Sequence, residues 1–150
     1  MSYISDIRKK IGHDLLIYVG AGVIVTHEGK ILLQVRKDNG QWALHGGGIE
    51  VNERLEDTAA RELYEETGLI AKKLKLFGVY SGPDRNLKYP NGDEIYSPGI
   101  FYHCEDFVGE LNPQADEVKS LMWFNFNEIP DNIFAPNRQV ITDFIASQTN

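Results

Sequence analysis

The segment Arg61-Glu62-Leu63-Tyr64-Glu65-Glu66-Thr67-Gly68-Leu69 carries the most concentrated chemistry in this chain, and acidic residues crowd the stretch ahead of it. Glu50, Glu53, Glu56, Asp57, Glu62, Glu65 and Glu66 make up seven of the 22 acidic residues, set against only Arg54 and Arg61 between them. On a helix from Glu53 to Thr67, at about 100° per residue, Glu62 and Glu66 share a face and Glu65 takes a neighbouring position. Like charges at these spacings repel by roughly a few tenths of a kcal/mol each, and the C-terminal part of a helix is already negative. Arg61 alone cannot neutralise three carboxylates. Leu55 and Ala59 project on the side of Glu62 and Glu66, so the cluster looks toward the body of the protein, where uncompensated charge is costly. A divalent cation resolves the conflict. Mg²⁺ takes oxygen ligands, typically one or two carboxylates with waters and substrate phosphates, and Glu65 and Glu66 can supply the carboxylates. A cation held in this way can neutralise a bound anion and acidify a bound water.

Such a cluster needs a helix, a turn leading into it and a sheet behind it. Asn52 suits the N-cap of the helix and Gly68 its C-terminal stop. Upstream, Leu16 to Thr26 is rich in Val, Ile and Tyr, and Lys30 to Arg36 is a second apolar run, with His27-Glu28-Gly29 between them read as a three-residue hairpin loop. Asp38-Asn39-Gly40 is a turn signal, after which Gln41-Trp42-Ala43-Leu44 leads into Gly46-Gly47-Gly48. Glycines there let backbone approach a ligand closely, although a triple glycine taken alone reads as a turn. Further strands are predicted at Leu74 to Tyr80, Ile100 to Val108 and Ser120 to Phe126. Tyr89-Pro90-Asn91-Gly92-Asp93-Glu94 reads as a turn between two extended segments that could cover the site. An amphipathic helix follows Pro136, with Val140, Ile141, Phe144 and Ile145 on one side, and another spans Ser2 to Ile11 through Ile4, Ile7 and Ile11.

At 150 residues the chain is about one domain long, and residues 1–150 are read as a single α/β domain. With 42% hydrophobic and 25% charged residues it lies in the globular range, and no apolar run reaches the ~18 residues of a membrane span. The N-terminus lacks the apolar core of a secretory signal, so a cytoplasmic location is expected. Cys104 is the only cysteine, which excludes an internal disulfide, a cysteine zinc site and an iron–sulfur cluster, and leaves it as a buried small hydrophobe. A formal net charge of -7 disfavours duplex nucleic acid as a partner. It is compatible with a small nucleotide bridged by a cation.

The spacing is more specific than the charge. Gly47 is followed after five residues by Glu53, and Glu53 after seven by Arg61-Glu62, an apolar residue, Tyr64, Glu65-Glu66, Thr67, Gly68 and Leu69. This resembles the Nudix box, the signature of hydrolases acting on nucleoside diphosphates linked to another moiety, at every defining position from Gly47 to Leu69. The order of strands and helices is similar to that family over most of Leu15 to Pro130. The resemblance implies a Nudix fold, with a mixed sheet between helices, and a Mg²⁺-dependent pyrophosphohydrolase, Mn²⁺ being the alternative ion. Its substrate would be a nucleoside triphosphate or a nucleoside diphosphate derivative. Carried over residue by residue, Glu62, Glu65 and Glu66 form the metal and base cluster, with the Gly46 carbonyl as a further ligand and Glu62 as candidate general base. Arg61 would orient the glutamates, and Glu53 would support the helix or the outer metal shell. Glu117 resembles the downstream acid of MutT-like triphosphatases; otherwise it is a solvated loop carboxylate.

Two positions depart from the common pattern. His45 stands where proline is frequent, which loosens the loop before Gly46; it could touch substrate or be incidental. Asn52 stands where glycine is frequent, a mild change because asparagine tolerates left-handed dihedrals. Nucleotide specificity must come from outside the box, and the candidates are Tyr80, Arg85, Tyr89, Tyr96 and Phe134-Ala135-Pro136-Asn137-Arg138, each weighed against a core or rim role. The Pro136-Asn137 region resembles the stretch that reads an oxidised purine in some MutT-like enzymes. Arg36 and Arg85 could clamp phosphates or be surface arginines. The family often forms homodimers, to which the N-terminal segment could contribute. A catalytically silent nucleotide-sensing or partner-binding domain is the alternative class, against which the three intact glutamates argue. A calcium-binding module fails for want of an EF-hand loop.

Overall fold

The computed structural model describes residues 2–114, 116 and 118–148. The chain runs from a helix at Tyr3–Ile11 (α1) through the strands Leu16–Ile17 (β1), Gly20–His27 (β2), Lys30–Arg36 (β3), Trp42–Ala43 (β4) and His45–Gly48 (β5) to the helix Leu55–Thr67 (α2). Strands follow at Ile70–Tyr80 (β6), Asn86–Lys88 (β7), Glu94–Tyr96 (β8), Gly99–Val108 (β9) and Val118–Asn125 (β10), before the helix Ala135–Gln148 (α3). The main sheet has the order β10-β3-β2-β9-β6; β2 and β9 are parallel and the other neighbours antiparallel.

Both faces of this sheet are buried, and the alternation of side chains assigns each residue to a layer. Ala21, Val23 and Val25 of β2 pack with Leu32 against Ala59 and Leu63 of α2, while Ile24, Ile31 and Leu33 pack against Val140, Ile141 and Phe144 of α3. Each buried Val, Leu or Ile contributes roughly 1.5–3 kcal/mol from its area removed from water. The expected mixed sheet held between helices is therefore what these runs form. Cys104 is fully buried in the α2 layer, as expected of a small hydrophobe. Among the described residues no helix is long and apolar enough to cross a membrane.

The β2–β3 hairpin is paired only at Thr26 with Ile31 and His27 with Lys30. Glu28 and Gly29 both have positive φ, 49° and 77°, the signature of a two-residue type I′ turn. His27 is thus the last residue of β2 rather than part of a three-residue loop. Beyond these pairs the two strands part, β4 taking the free edge of β3 and β5 that of β2, with Gly22 opposite Gly46. Strands of two and four residues are too short for periodicity to reveal, and they are what swing the chain into α2.

Helix α2 begins two residues later than expected. Arg54, in extended conformation and without a side-chain cap, is its N-cap, because Asn52 is spent on a left-handed turn at φ 67°. The tolerance of asparagine for that region is used, its capping oxygen is not. Gly68 ends the helix at φ 83° with its N–H on the Tyr64 carbonyl, as its position predicts. Strand β6 starts at once after it, earlier than the expected Leu74. Helix α3 starts at Ala135, ahead of Pro136, whose missing N–H is not needed in a first turn. Ile4, Ile7 and Ile11 of α1 form a half-buried stripe. A second, three-stranded sheet of order β1-β8-β7 stands apart from the main one, and the turn joining β7 to β8 falls in the predicted Tyr89–Glu94 segment, whose last residue already opens β8.

Candidate active site

Arg61 ties the glycine-rich strand, the turn and the helix into one unit. Its Nε donates to Glu53 Oε2 at 2.8 Å and its Nη2 to Glu53 Oε1 at 3.0 Å, a forked pair. The remaining donors reach Glu62 Oε1 at 3.0 Å, Glu65 Oε1 at 3.5 Å and the Gly48 carbonyl at 3.2 Å. Glu53 Oε1 also accepts from the Thr58 hydroxyl at 2.7 Å and the Glu50 N–H at 3.1 Å. Arg61 is the main cause that holds the Glu53 carboxyl down to about 2. Thr58, fully buried, is a partner that the sequence reading did not single out.

One turn apart on α2, the Glu62 and Glu66 carboxyls lie close enough to perturb each other. Burial is the first cause raising both carboxyls, and for Glu66 contact with Glu62 adds to it. Glu66 receives two neutral donors on Oε1, the Gln34 amide nitrogen at 2.5 Å and the Gly46 N–H at 3.1 Å. In an antiparallel strand the N–H and C=O of one residue project to the same side, so the Gly46 carbonyl faces the same groove. Glu65 sits apart, 42% exposed, with its carboxylate on Arg61. Among the described residues no group of three His, Cys, Asp or Glu is already gathered as a metal cluster. The donor set nevertheless suits a hard cation: two buried carboxylates in contact cannot both ionise without a counter-charge, and the available donors are all oxygen. Glu117 lies outside the described residues.

His45 is 1% exposed and does not reach the groove with its ring. Its Nε2 pairs with the Leu32 carbonyl at 3.0 Å and its Nδ1 with the Gln34 amide nitrogen at 3.1 Å. Burial holds the imidazole down to about 4, so at neutral pH it is uncharged, donating from Nε2 and accepting at Nδ1.

Glycine is required beside this pair. A Cβ at Gly47 would overlap the Glu62 carboxylate, and one at Gly48 would overlap the Tyr18 ring. Because the Glu62 carboxylate is the movable end of a side chain, Gly47→Ala is expected to fold with little loss of melting temperature but to push Glu62 aside. Turnover should then fall by about tenfold or more, as for misplacement of a catalytic group. Wild-type turnover in the folded variant would contradict the placement.

The carboxylate pair opens on a groove of about 540 Å³, lined also by Tyr18, Gln34, Arg36, Gly46, Gly47 and Tyr89. Through Arg36, Tyr89 and the glycines it continues into a narrower cleft of about 140 Å³, lined by Arg85, Phe101, Phe134, Pro136 and Asn137. Arg36 is held by Asp38 through Nε and Nη2, at 2.9 and 2.7 Å, and lies 4.1 Å over the Phe134 ring. It lines the groove beside Tyr89. Arg85 is 6% exposed; it donates to the Ser97 and Pro136 carbonyls, and no carboxylate among the described residues forms an ion pair with it. It lines the cleft and fastens α3 to the segment between β8 and β9. Asn137 accepts the Leu44 N–H on Oδ1 at 3.0 Å, which leaves its amide N–H groups to the cleft. Tyr80 and Tyr96 are occupied elsewhere, by Asp143 and the Gly82 N–H, and Arg138 by two carbonyls of its own loop. Tyr18, whose ring lies against Gly48 and whose hydroxyl is pushed up to about 12 by burial first and nearby Tyr89 and Glu62 charge next, walls both spaces. No local pattern marks it.

A mixed sheet between helices, split at one hairpin to admit a glycine strand and an acidic helix, defines a mixed α/β domain with a carboxylate-lined groove. A family model for the NUDIX domain matches residues 17–144. The chain is 38% identical over 125 residues to ADP-ribose pyrophosphatase of Methanocaldococcus jannaschii, covering 81% of this chain and 69% of that protein. It is 43% identical over 111 residues to a MutT-like protein of Streptomyces ambofaciens, covering 74% of this chain and 65% of that protein. It thus spans about two thirds of the length of these relatives. The crystal structure of a MutT NUDIX hydrolase from Burkholderia pseudomallei matches with a TM-score of 0.73 at 27% identity, covering 85% of this chain and 97% of that one. The chain belongs to the Nudix family of hydrolases, which generally use divalent metals.

Proposed function

We propose that this chain is a Mg²⁺-dependent pyrophosphohydrolase that cleaves a phosphoanhydride bond of a nucleoside diphosphate linked to another moiety, or of a nucleoside triphosphate, with Mn²⁺ able to replace Mg²⁺. The observation that carries the reading is the buried Glu62–Glu66 pair facing the groove, since two touching carboxylates there call for a counter-charge. Glu65, Glu66 and the Gly46 carbonyl would hold the cation, with Glu62 beside it and Glu117 as a further acid. When bound, the cation supplies charge neutralisation of the phosphates and acidity to water. Glu62, its carboxyl raised by burial and facing the groove, would take the proton of the attacking water. Arg61 and Glu53 keep the helix carboxylates in place. Tyr89, Arg36 and Asn137 form the walls that would receive the nucleoside, with Arg85 behind them. The diphosphate derivative is favoured by the likeness to an ADP-ribose pyrophosphatase, which makes ADP-ribose the first candidate.

The test is turnover of ADP-ribose, sugar nucleotides, dinucleoside polyphosphates and nucleoside triphosphates with Mg²⁺. At least one is expected to be hydrolysed, AMP and ribose 5-phosphate appearing from ADP-ribose. EDTA should abolish the reaction and Mn²⁺ restore it. A folded protein that binds nucleotides and turns over none would be the silent domain instead.

A further inference from the structure

Gln34 is the polar exception in the buried stretch Ile31-Leu32-Leu33-Gln34 and is 5% exposed. A polar side chain on that face of a core strand must be answered by hydrogen bonds. Its amide nitrogen lies within reach of three acceptors, Glu66 Oε1 at 2.5 Å, His45 Nδ1 at 3.1 Å and the Leu44 carbonyl at 3.2 Å. With two hydrogens, it gives one to Glu66 and shares the other between His45 and Leu44. His45 can accept at Nδ1 because its Nε2 hydrogen is directed to the Leu32 carbonyl. These bonds decide which end of the Gln34 amide faces Glu66, since a reversed amide would set its own oxygen against a carboxylate oxygen and an imidazole lone pair.

From this we infer that Gln34 and His45 are positioning residues that hold the Glu66 carboxylate by one oxygen, so that its other oxygen is presented to the cation. The inference rests on the reading of Glu66 as a cation ligand. The ring anchored at Leu32 also steadies the peptide before Gly46, whose N–H meets the same Oε1. A neutral donor suits this position better than a cationic one. A lysine or arginine in place of Gln34 would neutralise Glu66 and compete with the metal, whereas an amide orients the carboxylate and leaves its charge available. His45 in place of proline therefore brings an acceptor that proline lacks, and the bond it makes to Gln34 depends on that acceptor.

The test is Mn²⁺ affinity, read from the free-ion electron paramagnetic resonance signal, in the full chain and in Gln34→Met, which keeps the volume and removes the amide. Binding is expected to weaken about tenfold, the scale of lost support behind a metal ligand. The Gly46 amide resonance of the metal-free protein should also shift. On a Glu66→Gln background, Gln34→Met should add nothing further. Loss of Mn²⁺ binding in Glu66→Gln with wild-type affinity in Gln34→Met overturns the positioning inference and leaves the ligand reading standing; wild-type affinity in both overturns both. His45 provides an independent arm should Gln34→Met not fold. His45→Asn, which keeps an acceptor near Gln34, should bind Mn²⁺ more tightly than His45→Leu, and equal affinities in that pair count against the inference.

Discussion

Glu66→Gln is expected to lower turnover by at least about a hundredfold while making the metal-free protein more stable at neutral pH. Loss of charge at a cation ligand forfeits transition-state stabilisation of several kcal/mol, and every ~1.4 kcal/mol is tenfold in rate. Stability moves the other way because Glu66 is buried against Glu62 and its carboxyl is raised well above the ordinary range, burial being the larger cause. A carboxyl with a raised pKa in the folded state contributes stability that is fully present below the ordinary value of about 4.3 and is lost as pH rises through the raised one. Without metal, the wild-type melting temperature should therefore decline across that window. In Glu66→Gln the decline should be smaller, since the amide carries no charge to bury and only the burial of Glu62 remains. Melting curves in EDTA across pH, beside steady-state kinetics in Mg²⁺, read both effects. Unchanged turnover would remove Glu66 from the ligand set.

Arg61→Ala should cost both activity and acid resistance. The guanidinium makes a forked pair with Glu53 and single bonds to Glu62 and Glu65. Its loss leaves three carboxylates uncompensated and the helix free to shift against Gly48. A hydrogen bond to a charged group contributes about 1.5–3 kcal/mol, less where solvent screens it, and Arg61 is about one third exposed. A net destabilisation of roughly 2 kcal/mol is expected, with turnover reduced about ten- to a hundredfold. The pH signature distinguishes this from general damage. Glu53 is depressed to about 2, so its contribution is present above the ordinary carboxylate pKa and is lost as pH falls through about 2. In Arg61→Ala most of that contribution is missing already at neutral pH, so the destabilisation should be largest above the ordinary carboxylate value and fade as pH falls toward about 2, with acid unfolding moved to higher pH. Arg61→Lys should recover only part, because an ammonium cannot match the fork. An acid transition identical to wild type in Arg61→Ala would refute the role.

The carboxylate unit was legible from sequence because its parts are close along the chain. Glu53, Arg61, Glu62 and Glu66 lie within a turn and a helix, so spacing alone places them on shared faces. The support behind them was not, since Gln34 and Glu66 are separated by 32 positions and only strand pairing brings them together. One cue was available: Gln34 is polar where alternation along β3 demands an apolar side chain. Asn52 misled the reading of the helix start because asparagine serves both as an N-cap and as a left-handed turn residue, and only the backbone distinguishes the two. The walls of the cleft were named as Arg36, Arg85, Tyr89 and Asn137 without the bonds that restrain them. Arg36 is already engaged by Asp38 and Phe134, and no local pattern foretells the second of these. Tyr18 was passed over altogether, its place being set by a contact with Gly48 thirty positions away.

The small β1-β8-β7 sheet shares no strand with the main sheet, yet its turn delivers Tyr89 to the groove. One wall of the proposed nucleoside site is thus carried by a scaffold separate from that of the carboxylates, while Arg36 and Asn137 stand on the main body. A change in the length or side chains of the β7–β8 turn could alter that wall and leave the carboxylates untouched.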